Sequence, residues 1–185
     1  MILVVDSSAL ALMINPAANP PNDPSTNAPV AKARERVEAF VTSLGASDTM
    51  IVPTPTLAEI LVHAEDDGPA FLEQVNSYSR MRVKPFDQRA AVELAAITRD
   101  AKMAGDKKSG STAAWQKVKL DRQIVAIAVV ARATHLYTDD GNMAAFGRAA
   151  GLTVISTWDL PMPAEDRDLF SYQSESDGGV DASAD

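Results

Sequence analysis

No cysteine occurs among the 185 residues, which excludes disulfides, thiolate zinc sites and a cysteine nucleophile. A long apolar run is missing too: the longest, Ile124 to Ala131, is far too short to span a bilayer. The N-terminus carries no basic segment followed by an apolar stretch and small residues, so no secretory signal is expected. No internal repeat is visible. These absences leave a soluble chain, expected in the cytoplasm and without a membrane partner. Its length suits one domain with a core of its own.

There is also no excess of base: the net charge is −8. That charge is unevenly spread, because Asp159 to Asp185 holds eight acids and only Arg167 as a base. Residues 1–158 keep 17 of the 25 acids and 16 of the 17 bases, so the body of the chain is close to neutral. Within it, Arg99 to Arg122 carries seven bases against Asp100, Asp106 and Asp121. A neutral body with a local basic stretch can hold a phosphate backbone, and the global charge neither supports nor excludes this.

What is present is a pair of matching segments. Ile2-Leu3-Val4-Val5-Asp6 and Leu136-Tyr137-Thr138-Asp139-Asp140 are short apolar runs that each stop on acid. A run without alternation is the pattern of a parallel strand covered on both faces. Strands are also expected at Met50–Val52, Met81–Pro85 and Thr153–Ser156, and helices at Ser7–Ile14, Val30–Leu44, Thr54–Ala64, Pro69–Tyr78, Gln88–Met103, around Asp121 to Ala133, and Asn142–Ala150. Thr54 is the expected cap of its helix, with Pro55 at the first position. Gly151 is the expected stop after Ala150. Strands alternating with helices give an α/β fold: a parallel sheet of four to five strands between two helical layers. Asn15 to Pro29, with five prolines and four asparagines, reads as a surface loop inserted into that plan. A domain over residues 1–160 is therefore expected, followed by an acidic, disordered tail over 161–185.

In open α/β sheets, ligands bind beyond the carboxyl ends of the strands. Asp6 stands at such an end, although Asp and Ser residues there also serve as helix caps. Asp121 precedes Ile124, Val125 and Ala128 by three, four and seven residues, which places it on the helix face turned toward the sheet. An acid on that face is costly unless solvated or bound to a cation; a first-turn acid favoured by the helix dipole is the alternative, and the geometry favours the site. Glu59 lies near the start of its helix, where dipole and site explain it equally well. Of Asp139 and Asp140, one is expected to act as a ligand, with Thr138 orienting it or the attacking water. His63 reads as a surface or core-edge residue, and Glu65-Asp66-Asp67 as a solvated turn. Carboxylates converging on one cleft repel one another unless a cation lies between them, which points to a divalent metal site.

Four pieces then carry a resemblance: Val4-Val5-Asp6-Ser7-Ser8-Ala9, Thr56-Leu57-Ala58-Glu59-Ile60, Asp121-Arg122-Gln123-Ile124-Val125-Ala126-Ile127-Ala128, and Leu136-Tyr137-Thr138-Asp139-Asp140. In this order and spacing, over residues 1–157, the chain resembles the PIN-domain nucleases, in particular the VapC-like toxin ribonucleases. The resemblance implies a three-layer α/β/α fold, Mg²⁺ or Mn²⁺ as cofactor, RNA as substrate, a homodimer and a cognate antitoxin. It implies Asp6, Glu59, Asp121 and Asp140 as the acidic quartet, with the fourth acid at Asp140 rather than Asp139, and Ser8, Thr138 and Asp139 in support. The chain departs from the family pattern at Asn142, where an acid often stands, in its longer loops at Asn15–Pro29 and Gly105–Thr112, and in its acidic tail.

Mg²⁺ prefers oxygen ligands and keeps several waters, which suits a site that must admit a phosphodiester. Asp6 and Asp121 are the expected holders of the principal ion, and cleavage is expected to leave 5′-phosphate and 3′-hydroxyl ends. Lys107, Lys108, Lys117, Lys119 and Arg122 are candidates to grip flanking phosphates; a solvated loop accounts for the lysines equally well. Two other α/β classes are disfavoured. A receiver domain needs an acid pair after its first strand where Asp6-Ser7 stands, and a haloacid-dehalogenase phosphatase needs a second Asp at Ser8. The remaining alternatives are a PIN-fold binding or assembly module with little nuclease activity, and a PIN nuclease of RNA processing outside any toxin pair.

Overall fold

The structure is a computed structural model, and it describes residues 1–15 and 17–163. The expected acidic tail beyond Pro163 lies outside the described residues. Five strands form one parallel sheet: β1 (Ile2–Val5), β2 (Thr49–Pro53), β3 (Met81–Lys84), β4 (His135–Tyr137) and β5 (Thr153–Ile155), in the order β3-β2-β1-β4-β5. The helices are α1 (Ser7–Ile14), α2 (Ala33–Ser43), α3 (Thr54–Ala64), α4 (Gly68–Ser77), α5 (Gln88–Met103), α6 (Trp115–Val130) and α7 (Gly141–Ala149). The chain builds outward from β1 to β3, then crosses back to lay β4 on the other side of β1. The strand order reverses between β1 and β4, so the crevice that parallel sheets use for ligands opens beyond those two strand ends.

Val4 and Val5 point to opposite sides of β1 and both are fully buried, so each face of the sheet is covered. Leu3, Val5, Met50, Val52 and Tyr137 pack with Leu10, Leu12, Val37, Ile60 and Val75 from α1 to α4. On the other face Val4, Ile51 and Leu136 pack with Val118, Ile124, Ile127 and Phe146 from α6 and α7. Every fully buried side chain of this size contributes about 1.5–3 kcal/mol against exposure. The result is the expected three-layer α/β/α architecture. No helix among the described residues is long and apolar enough to cross a membrane.

Several boundaries differ from expectation, and three of the differences have a clear local reason. α2 begins at Ala33 rather than Val30, because Lys32 takes a left-handed φ of 51° that breaks the helical path. Pro53, not Thr54, is the cap residue of α3; Thr54 is helical and its Oγ1 accepts the Phe86 N–H at 3.0 Å. α6 stops at Val130 because Arg132 turns left-handed, with φ 55°, and the Ala133 N–H returns to the Ala128 carbonyl. Glu65–Asp67, expected as a turn, forms one 3₁₀ turn and is exposed. Residues 17–29 are irregular apart from turns and a single bridge between Asn22 and Pro29.

Gly147 fixes how closely α7 lies on the sheet. A Cβ at this position would sit 2.5 Å from Leu136 Cδ2, so with the Leu136 side chain where it is, the helix rests on β4 at a distance that suits glycine. Gly151 ends α7 region with φ 82°, as expected of a left-handed stop.

Candidate active site

Asp6 follows β1 directly and extends its ladder, its N–H bonding the Tyr137 carbonyl at 3.2 Å. Its side chain caps α1: Oδ1 accepts the Ala9 N–H and the Ser8 hydroxyl, each at 2.9 Å. Oδ2 accepts a short hydrogen bond from the Thr138 hydroxyl, which reaches across from the end of β4. Asp6 itself is 4% exposed. Burial pushes the Asp6 pKa up to about 6, against the pull of its three donors and with a small addition from the Asp139 charge.

Asp140 repeats the arrangement one strand over. It caps α7 through Oδ1, which accepts the Asn142 and Met143 N–H groups at 2.7 and 3.0 Å. Its own N–H donates to Thr138 Oγ1 at 3.0 Å, so one threonine hydroxyl ties Asp140 to Asp6. Oδ2 faces Lys117, whose Nζ lies 3.0 Å away. Burial works to raise the Asp140 pKa, but the α7 backbone donors and Lys117 outweigh it and hold the carboxyl below its ordinary value.

Asp121 lies on α6, one turn after Lys117, and Lys117 Nζ stands 3.5 Å from its Oδ1. Asp121 is buried, and its Oδ2 has no hydrogen-bond partner. An orphaned carboxylate oxygen is costly without a cation or water to meet it. Its pKa is raised, first by burial and then by the charges of Asp140 and Glu59, with Lys117 opposing. Glu59 is exposed on α3 and acts on Asp121 through its charge. The four acids thus share one end of the sheet, where the strand order reverses. Lys117 is held in turn: burial alone would lower its pKa, but Asp140 and Asp121 raise it.

Asp139 is used differently. Both its oxygens go to Thr157, accepting the N–H and the hydroxyl at 2.7 Å each. Burial raises its pKa despite these donors. Thr157 also bonds Tyr137 Oη at 2.8 Å, so Asp139 fastens the segment after β5 to the end of β4. The Thr157 contribution carries no pattern in the sequence and emerges only from the fold.

Among the described residues, no three carboxylate or imidazole groups converge as a ready set of metal ligands. The pair that does converge is Asp121 and Asp140, with Lys117 between them. Chemically the residues fit a hard divalent cation: the donors are all oxygen, one buried oxygen is unpartnered, and magnesium is commonly held by one or two carboxylates with waters completing its shell.

The candidate phosphate grips separate sharply. Arg122 is 1% exposed and does not face solvent. Its guanidinium lies between the Trp115 and Phe146 rings, 5.8 and 5.4 Å from their centroids, and donates to Ser109 Oγ at 2.9 Å. In this structure it anchors the loop before α6 instead of gripping RNA, and burial lowers its pKa. Trp115 stands seven residues earlier on the same helical face, a spacing that foreshadows the contact. Lys107 stacks on Trp115 at 5.2 Å, and Lys119 is exposed. Lys108 is half-buried, in a loop that Asp106 closes by accepting the Lys108 and Gly110 N–H groups.

A crevice of about 720 Å³ runs beside the acids. Its walls come from α1, the 15–21 segment, α3 and α4, and its lining includes Ser8, Glu59, His63, Phe71 and Asp139. His63 and Glu59 therefore face the same channel, one turn apart on α3.

No protein-family model matches the chain, and no curated protein matches it either. Solved structures do. One is a chain of VapBC-1 from nontypeable Haemophilus influenzae, at 16% identity and TM-score 0.57, matched over 85% of this chain and 98% of that one. Another is a chain of VapBC2 from Rickettsia felis, a complex solved on a DNA fragment from its promoter, at 14% identity and TM-score 0.55, over 84% and 98%. At such identities the likeness is one of fold: the chain has the VapC-like PIN fold.

Proposed function

We propose that the protein is a divalent-metal-dependent endoribonuclease of PIN type, acting as the toxin of a type II toxin–antitoxin pair. The observation that carries this reading is the buried, unpartnered Oδ2 of Asp121, beside Asp140 and at the switch point where Asp6 also ends its strand. Asp121 and Asp140 would hold Mg²⁺ or Mn²⁺, with Asp6 and Glu59 completing the cluster directly or through water. When bound, such an ion supplies Lewis acidity for phosphodiester hydrolysis.

The chain's own residues set the stage for that chemistry. Ser8, the Ala9 N–H and Thr138 lock the Asp6 carboxylate in one orientation. The α7 N-terminus fixes Asp140 in the same way. Thr138 couples the two, so a shift of β4 moves both acids together. Lys107 and Lys119 present positive charge near α6 for flanking phosphates. The likeness to VapBC chains supports an antitoxin partner for this protein, and a homodimer in the cytoplasm belongs to the same reading.

One observation favours a second reading, a PIN-fold binding or assembly module: no three ligands converge among the described residues, and a lysine already neutralises the best pair. A single experiment separates the two. A panel of structured and single-stranded RNA and DNA is incubated with Mg²⁺, Mn²⁺ or EDTA, using wild type and Asp121→Asn. Metal-dependent RNA cleavage lost in the variant is expected. RNA or partner binding without cleavage under any metal would favour the module.

A further inference from the structure

We infer that Lys117 is a built-in occupant of the cation position, an ammonium that a divalent ion must displace from Asp121 and Asp140. The inference rests on the metal-nuclease reading above and adds to it the residue that governs loading. Lys117 Nζ lies 3.0 Å from Asp140 Oδ2 and 3.5 Å from Asp121 Oδ1, so it bridges the two acids that converge. The first contact crosses from α6 to α7; only the second follows from the four-residue spacing along one helix. The bridge leaves Asp121 Oδ2 without a partner, so a single positive charge does not satisfy the pair. A divalent ion carries twice the charge and accepts more oxygens than one ammonium can reach.

The lysine is also built to leave. Its side chain is 48% exposed, while Asp121 beneath it is 4% exposed. A flexible four-carbon stem reaching in from solvent can swing out without unpacking the core. Its release places an ammonium at the rim beside Asp140, where a phosphodiester would meet it. Metal entry and RNA binding then favour each other, because each offers a better partner to one side of the ion pair. In the absence of metal the same lysine lets buried carboxylates lie close together.

The test is Mn²⁺ binding by calorimetry, without RNA, on wild type, Lys117→Met, Lys117→Arg and the charge control Lys102→Met at the end of α5. Removing the competing charge should tighten Mn²⁺ binding about tenfold in Lys117→Met. Lys117→Arg should bind like wild type or more weakly, and Lys102→Met like wild type. Thermal unfolding gives an independent readout: Lys117→Met should melt lower than wild type in EDTA and gain more from Mn²⁺. Wild-type binding with no tightening in Lys117→Met would overturn the inference and leave the metal reading standing. No Mn²⁺ binding by any variant would overturn both.

Discussion

The ends of β1 and β4 are built from the same part and tuned in opposite directions. Each strand stops on an aspartate whose Oδ1 caps the next helix, and each cap takes its position from Thr138. Asp6 is closed: its second oxygen is covered by Thr138, it is buried, and its pKa is pushed up to about 6. Asp140 is open: its second oxygen faces Lys117, its side chain is 30% exposed, and its pKa is held low. Capping alone therefore does not decide what a strand-end acid can do. What decides it is whether the second oxygen is spent inside the fold or left toward a cation.

The largest effect that could break this contrast is on metal. Asp121→Asn and Asp140→Asn should each weaken Mn²⁺ binding by about tenfold to a hundredfold, the range for losing a group at such a site. Asparagine keeps the Asp140 cap, so the α7 start survives and only charge is lost. Asp6→Asn should weaken binding less, because its oxygens already serve Ala9, Ser8 and Thr138. Calorimetry on the three variants checks this, and equal losses at Asp6 and Asp140 would erase the distinction.

Next in size is the response to pH without metal. Asp6 is raised from an ordinary value of 3.8 to about 6. An acid with a raised folded pKa binds its proton more tightly when folded. Its ionised form therefore costs stability above about pH 6, and the cost is relieved as pH falls toward 4. The shift corresponds to a cost on the order of 3 kcal/mol. Asp140 runs the other way: its lowered pKa adds stability above its ordinary range, lost as acid titrates the folded carboxyl. Denaturant unfolding in EDTA between pH 4 and 7 should show Asp6→Asn more stable than wild type at pH 7, with the gain shrinking at pH 4. Asp140→Asn should be less stable than wild type throughout this range, because the carboxyl it replaces loses its contribution only below about pH 4.

Much of this contrast was legible in the residues, and the reasons for what was not are physical. The unbroken Ile2–Val5 run announces a strand buried on both faces, and the acid after it follows from chain direction alone. Asp121 could be placed because Ile124, Val125 and Ala128 define its helical face. These are local regularities of period and order. The Lys117 bridge has no signature in the sequence, because nothing in one helix reveals that the start of α7 brings Asp140 within 3.0 Å of the lysine tip. The burial of Arg122 is hidden for the same reason: Phe146 closes over it from another helix. The Thr157 clasp on Asp139 spans eighteen residues and depends on where β5 ends. Tertiary partners of long side chains escape a reading built on periodicity.

The α7 half of the comparison also depends on a backbone contact that the α1 half lacks. Gly147→Ala would bring a Cβ to 2.5 Å from Leu136 Cδ2, so that either the fully buried Leu136 side chain or α7 itself must shift. Overpacking of this kind costs about 1–3 kcal/mol. Because Asp140 heads the same helix, a displacement of α7 should also weaken Mn²⁺ binding while leaving the Asp6 cap in place. Chemical denaturation and calorimetry on one variant measure both, and a stability loss with unchanged metal affinity would show that Leu136 shifts and the α7 start stays in place.

The smallest effect isolates capping from charge. Asp140→Asn and Asp140→Ala both remove the partner of Lys117, but only alanine leaves the Asn142 and Met143 N–H groups without an acceptor. The difference between the two variants should therefore be about 1 kcal/mol, the usual worth of an N-cap, and should not depend on salt. The loss they share, relative to wild type, contains the Lys117 ion pair and should shrink as salt rises. At Asp6 the corresponding difference should exceed that at Asp140, because asparagine can still meet the buried Thr138 by donating an Nδ2–H to its Oγ1, whereas alanine leaves that hydroxyl no partner at position 6. Equal differences at the two caps would mean that Thr138 finds another partner, and that the closed site is less closed than its hydrogen bonds imply.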